Sequence, residues 1–238
     1  MLIDAHLHME DASLARLMHT EGIAGIANAA SVEEYERLKT YQQLCPNLRI
    51  SAGIHPWNAD KTSWDQMLPI LRKTDIIGEI GLDKVWCDVP YTKQYEVFER
   101  QLSYASAHHK PVILHIKGYE KEALKLIKRY ENRYLVHWYS KKDYVMDYIE
   151  AGCWFTIGPS LPYDESVQYT AQMVPISRIL IETDGLSALN WCEPTPITLA
   201  DYPHILQRSM AWIAEGKGMT IAALEEQMEN NYLTFCAV

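Results

Sequence analysis

The chain has no apolar run approaching the roughly 18 residues of a membrane span. Its amino terminus, Met-Leu-Ile-Asp-Ala-His-Leu-His, has no basic stretch followed by a signal-length apolar segment. A soluble cytoplasmic protein is expected, with no membrane association. The five cysteines, Cys45, Cys87, Cys153, Cys192 and Cys236, contain no CxxC pair and leave one over, which argues against a disulfide framework and for reduced thiols. Positive charge is in deficit: 22 Lys and Arg stand against 31 Asp and Glu, a formal net charge of −9. That balance disfavours a general polyanion-binding surface, although a metal centre can attract an anion inside an acidic protein. GxGxxG, GxxxxGK[ST] and Gly-x-Ser-x-Gly are all missing, so nucleotide-cofactor, phosphate-loop and serine-hydrolase chemistry lack their usual starting points. No Ser/Gly linker or composition shift divides the chain, which reads as one domain over residues 1–238.

What is present is an alternation of short apolar runs and longer helical patterns, in a chain that is 48% hydrophobic. The runs are Met1 to Ala5, Gly22 to Asn28, Leu48 to Ile54, Asp75 to Ile80, Pro111 to Ile116, Tyr134 to Trp138, Cys153 to Ile157 and Arg178 to Thr183. Helical periodicity fits Ser31 to Leu44, Ser63 to Arg72, Tyr91 to His109, Glu120 to Tyr130, Lys142 to Glu150 and Asp164 to Val174. Two further helices, Ile205 to Glu215 and Thr220 to Phe235, follow, separated by the stop Gly216-Lys217-Gly218. Ser31 with Glu34, and Ser63 with Gln66, have capping-box spacing. In the central helix Tyr95, Phe98, Leu102 and Ala105 recur at intervals suited to covering a sheet. Eight strands with intervening helices point to an α/β fold, a (β/α)8 TIM-type barrel, with a doubly wound open sheet as the alternative.

The polar residues fall at the carboxy-terminal ends of these runs, where a barrel gathers its active site. His6 and His8 share one side of the first strand, with Asp4 one layer deeper. His55 follows the third run, Glu79 lies in the fourth, His115 and His137 close the fifth and sixth, and Asp184 follows the eighth. Neutral nitrogen donors mixed with carboxylates suit Zn, Mn, Co or Fe, and Mg if oxygens complete the shell. Two cations need a shared ligand, and Glu79 is the carboxylate best placed to bridge. The expected sets are His6, His8, Glu79 and Asp184 around one ion and Glu79, His115 and His137 around the other. Asp184 is also the candidate base for a nucleophilic water. As ordinary core and capping residues, all six would have reached strand ends by coincidence.

Glu182 is read as a deeper group orienting a ligand, and Asp83 as a residue that holds His55 or begins a loop. His108 and His109 at a helix end, together with His19, His204, Cys87 and Cys153, carry no site signal. Trp57, Trp86, Tyr139 and Trp191 lie in expected mouth loops, where aromatic faces stack on bases or cover the barrel.

In order along the chain, Ile-Asp-Ala-His-Leu-His, Gly-Ile-His-Pro, Ile-Gly-Glu-Ile-Gly-Leu-Asp, Lys-Pro-Val-Ile-Leu-His, Leu-Val-His-Trp and Leu-Ile-Glu-Thr-Asp resemble the TatD-related hydrolase family, within the amidohydrolase-like metal barrels. The resemblance covers most of the chain. It implies a TIM-type barrel and a phosphodiesterase using two divalent ions (Mg, Mn or Zn), with members acting as DNases from a 3′ end. It carries metal-ligand roles to His6, His8, Glu79, His115, His137 and Asp184, and a phosphate contact to His55. The pattern departs at His115-Ile116-Lys117-Gly118, where members commonly have His-x-Arg, so Lys117 would keep the charge without the bidentate grip. It departs also at His137-Trp138-Tyr139-Ser140-Lys141 and at Gly185-Leu186. The expected partner is a single-stranded DNA end or another small hydrolysable substrate. The alternatives are a lactone, amide or small phosphoester as substrate, and an inactive barrel serving as a binding module.

Overall fold

In the computed structural model, which describes residues 1–237, each of the eight apolar runs forms a strand. These are β1 (Ile3–Leu7), β2 (Ala24–Ala29), β3 (Leu48–Ala52), β4 (Ile76–Asp83), β5 (Val112–Lys117), β6 (Tyr134–Val136), β7 (Trp154–Ile157) and β8 (Ile179–Ile181). They pair in chain order, every pair parallel. β8 returns to β1 through Asp184 N, which donates to His6 O at 3.1 Å, and Thr183 N, which donates to Asp4 Oδ1 at 3.1 Å. The sheet is therefore the expected (β/α)8 barrel, not an open doubly wound sheet. β1, β2 and β4 are buried at every position, because inward residues fill the barrel while outward ones meet helices.

The surrounding helices are α1 (Ala12–Thr20), α2 (Val32–Leu44), α3 (Trp64–Lys73), α4 (Tyr91–Ala107), α5 (Glu120–Ile127), α6 (Val145–Glu150), α7 (Glu165–Met173), α8 (Leu186–Cys192), α9 (Tyr202–Lys217) and α10 (Ile221–Cys236). Ser63 and Gln66 complete a reciprocal capping box on α3. Ser31 accepts from Glu34 N at 3.1 Å, but the Glu34 carboxylate takes Ala30 N instead of closing the box. On α4, Phe98, Leu102 and Ala105 are buried and Tyr95 is partly buried, as its spacing requires.

Three boundaries differ from the expected ones in ways that matter to the site. β1 begins at Ile3 and runs through Leu7, so His6 lies inside it and His8 just beyond it. α1 has no counterpart in the periodicity reading. Asp11 caps it by accepting from Ser13 N at 2.6 Å, and it buries Leu14, Ala15 and Met18. α9 starts at Tyr202, three residues early, directly after a short turn at Leu199–Asp201 capped by Thr198 and Asp201, and the Tyr202 hydroxyl donates to the buried Asp4 carboxylate. Gly218, at φ +64°, ends α9 within the expected stop.

Candidate metal centre

Glu79 sits in β4 where the pairing with β5 shifts register between Ile77 and Ile80, an irregularity of the kind that re-aims a side chain. Gly81 follows at φ +159°, and a Cβ there would overlap the His115 carbonyl oxygen. Glycine thus lets β4 lie against β5 and keeps Glu79 beside His115.

The buried Glu79 carboxylate divides its two oxygens between two histidine pairs. Oε2 lies 3.2 Å from His8 Nε2 and 3.6 Å from His6 Nε2. Oε1 lies 2.8 Å from His137 Nε2, 3.0 Å from His115 Nδ1 and 3.7 Å from His55 Nε2. Asp184 Oδ1 is 3.1 Å from His6 Nε2 and 3.6 Å from His8 Nε2. The His6 and Asp184 atoms are close but lack hydrogen-bond geometry, and both count as buried polar atoms without a partner. The same holds for His137 Nδ1 and both oxygens of Glu182, which stand 3.7 Å apart at their nearest.

The outer neighbours decide which ring atoms carry protons. Asp83 Oδ2 lies 3.0 Å from His115 Nε2, and a carboxylate can only accept, so the proton sits on Nε2 and the Nδ1 lone pair faces Glu79. Two acceptors then meet at 3.0 Å, an arrangement that a proton or a cation between them reconciles. His55 Nδ1 accepts from Trp57 N at 3.2 Å, which leaves the proton of the neutral ring on Nε2, aimed at the cluster. Burial, reinforced by the nearby His115, pushes the His55 pKa down to about 3. His55 is accordingly a neutral donor.

Burial opposes charge on His8 and His137, yet Glu79 and the other carboxylates outweigh it and lift them to about 9 and about 10. Burial likewise works against the Glu79 and Asp184 anions, but the surrounding imidazoles hold both below the usual carboxylate range. Three groupings place ligand atoms within 4.8 Å of one another: His6, His137 and Asp184; His6, His8 and Glu79; and His55, Glu79 and His115. Orphaned buried atoms, a mixed nitrogen and oxygen donor set, and facing acceptors all fit divalent metal.

The structure therefore gathers all six residues expected as ligands at one end of the barrel, and His55 with them. Asp83 corrects an expectation: it holds His115 rather than His55, while its other oxygen begins the loop by accepting from Val85 N and Trp86 N. Asp4 lies one layer down, bonded to Thr183 and Tyr202, and burial lifts its pKa to about 7. Lys117 Nζ is tethered to Trp138 O at 2.8 Å and Ser140 Oγ at 3.3 Å, leaving one N–H, and burial lowers its pKa. Tyr139 is not a mouth residue. It is buried against Tyr148 and Phe155 with its hydroxyl donated to Asp143 O.

Asn28 and Ser51 went unnoticed in the sequence. Asn28 Nδ2 is 3.0 Å from His6 Nδ1, and its Oδ1 accepts from Ser51 Oγ, so this buried pair fixes the His6 ring. Asn28 ends its apolar run as the chosen residues do, which was the available signal. His108 is exposed, with Nδ1 on Tyr104 O at 2.8 Å, and His204 is exposed beside Gln207. All five cysteines are unpaired, and among the described residues no helix is long and apolar enough to cross a membrane.

Comparison with known proteins places this geometry. The family described as TatD related DNase matches residues 3–236. The human 3'-5' RNA nuclease TATDN2 is 28% identical over 207 residues, 76% of this chain and 26% of that protein. The chain thus spans about a quarter of that relative's length. A metal-dependent hydrolase of Haemophilus influenzae is 27% identical over 211 residues, covering 78% of this chain and 81% of that one. The crystal structure of YjjV, a TatD homolog from Escherichia coli K12, matches with a TM-score of 0.85 at 23% identity, covering 100% of this chain and 98% of that one. A TatD family hydrolase from Entamoeba histolytica matches at 0.77 and 14%, covering 98% and 97%. With a closed parallel barrel and its His, Glu and Asp cluster at one mouth, the chain belongs to the TatD related DNase family.

Proposed function

We propose that the protein is a divalent-metal-dependent phosphodiester hydrolase that trims single-stranded DNA from a 3′ end. The observation that carries this reading is the division of Glu79, one oxygen toward His6 and His8 and the other toward His115 and His137. His6, His8, Glu79 and Asp184 would hold one ion, and Glu79, His115 and His137 a second. Bound Mg, Mn or Zn would supply Lewis acidity and lower the pKa of water at the site.

The chain's own residues do the rest. Asp184 is held in its basic form and is the partly exposed carboxylate of the cluster, where the Glu79 carboxylate is buried, so it takes the proton of the attacking water. His55 donates from Nε2 to a non-bridging phosphate oxygen, and the free N–H of Lys117 adds positive charge there. Attack of water oxygen on phosphorus forms one P–O bond as the bond to the 3′ oxygen of the shortened strand breaks, and the proton held by Asp184 passes to that oxygen. Glu182 sits 3.7 Å behind His137, where its negative charge favours the charged imidazole.

One observation favours a second reading. With two of three N–H groups committed to Trp138 and Ser140, Lys117 offers less to a phosphate than a forked arginine would. A lactone, an amide or a small phosphoester fits the same site chemistry.

End-labelled single-stranded DNA and RNA, incubated with metal-stripped protein and then with added Mn or Mg, test the proposal. Metal-restored 3′ trimming of DNA is expected, reduced at least about tenfold in His137→Ala. RNA trimming alone would reassign the substrate. Binding without turnover of either would make the barrel a binding module, and neither binding nor turnover would favour the non-nucleic hydrolase.

A further inference from the structure

Three tryptophans from three separate segments after strands meet beside the candidate metal centre. Trp86 follows β4, Trp138 follows β6, and Trp191 lies in α8 beyond β8. The Trp191 ring centroid is 6.2 Å from Trp86 and 6.0 Å from Trp138, with interplanar angles of 80° and 72°. Exposure rises outward from 7% at Trp138 to 54% at Trp86 and 70% at Trp191.

The inner indole is fixed. Its Nε1 donates to Ser160 Oγ at 2.9 Å, and Gly158 leaves room for it where a Cβ would overlap the ring. Trp86 is fixed through its backbone, because Asp83 Oδ1 accepts from Trp86 N at 3.0 Å while Oδ2 orients His115. The wall and the metal-ligand cluster are thus tied by one carboxylate. Positive charge lies along it. Lys117 Nζ is 5.7 Å from the Trp86 ring centroid.

Two indoles more than half exposed, in an acidic protein, beside the Lys117 ammonium and an anion-directed site, are a poor surface for water and a good one for an aromatic heterocycle. Edge-to-face packing leaves a broad indole face open, and such faces take any base. We propose that Trp191 and Trp86 form the stacking seat for the nucleobase next to the scissile phosphodiester, with Lys117 beside the Trp86 ring. This rests on the phosphodiester reading above. It assigns the seat to side chains that lie outside the ligand cluster, and it requires little base preference, because stacking and not edge hydrogen bonding holds the ring.

The test compares two oligothymidylates, one intact and one lacking the last two 3′ bases, in the Mn-loaded parent, Trp191→Ala and Trp86→Ala proteins. Both indoles are largely exposed, so their loss leaves the core intact, and unchanged thermal melting checks this. In the parent, removal of the bases is expected to raise KM by about tenfold. In either variant the ratio should collapse toward one. A ratio that stays at the parent value in both variants overturns the seat. Fluorescence anisotropy of the same oligonucleotides with metal-stripped protein gives an answer independent of turnover. Base-dependent binding that disappears with Trp191 supports the seat even if no hydrolysis occurs, which would sink only the hydrolase reading. Self-association abolished by Trp191→Ala, with the base ratio unchanged, would assign the patch to a second copy and overturn the proposal.

Discussion

Asp83 does three things with two oxygens: it holds the His115 proton on Nε2, anchors the Trp57 indole at 2.6 Å, and turns the loop carrying Trp86. Burial raises the energy of its anion, but the bonds to His115, Trp86 and Trp57 outweigh that, and its pKa falls below the ordinary carboxylate value. Asp83→Asn keeps the shape and removes the charge. The variant is expected to bind Mn or Zn about 10- to 100-fold more weakly than the parent, read by competition with a chromophoric chelator. Equal affinity would show that Asp83 only shapes the loop. From the sequence, Asp83 holds His55 or begins a loop, and its contact with His115 is missed because that contact depends on the register of β4 against β5. The six expected ligands were legible because each is an imidazole or carboxylate at or near the carboxy-terminal end of an apolar run. Asn28 stands there too, but a search for imidazole and carboxylate donors passes over a neutral amide. Tyr139 misled for the opposite reason: its place after β6 suggested the mouth, whereas its ring turns into the core against Tyr148.

At the scale of elements, the site depends on β4 and β5 lying in close contact. Gly81 is where that approach is tightest, at a φ that L side chains rarely adopt. Gly81→Ala is expected to destabilise the protein by more than about 1 kcal/mol, measured by urea unfolding, and to weaken metal binding with it as His115 is displaced from Glu79. Full stability in the variant would mean that the register shift has slack. Strand count, helix α4 and the start of α3 could be read from periodicity and caps. α1 could not, because its buried face is three residues in a nine-residue helix. The end of β1 was set too early because His6 interrupts the apolar run, although its ring is sealed inside by Asn28, Asp184 and Glu79.

For the molecule as a whole, eight parallel strands bring together residues from Asp4 to Asp184, and the closure between β8 and β1 uses site residues themselves. Fold and centre are thus one construction: the Asp4, Thr183 and Tyr202 bonds that close the barrel also set the Asp184 backbone on His6. Alternation of runs and helices made this architecture legible, and the chemistry at strand ends made the centre legible. The metal and the substrate are not written in either pattern, since one donor set serves several ions and one activated water several electrophiles.

In the proposed function Glu79 serves two cations at once. Metal content per chain, measured on the stripped and Mn-reloaded parent and on Glu79→Gln together with turnover on single-stranded DNA, tests it most directly. Two equivalents of Mn are expected in the parent, with a loss of bound metal in the variant and turnover lowered with it. One equivalent in the parent, retained in full by Glu79→Gln with activity intact, would contradict it.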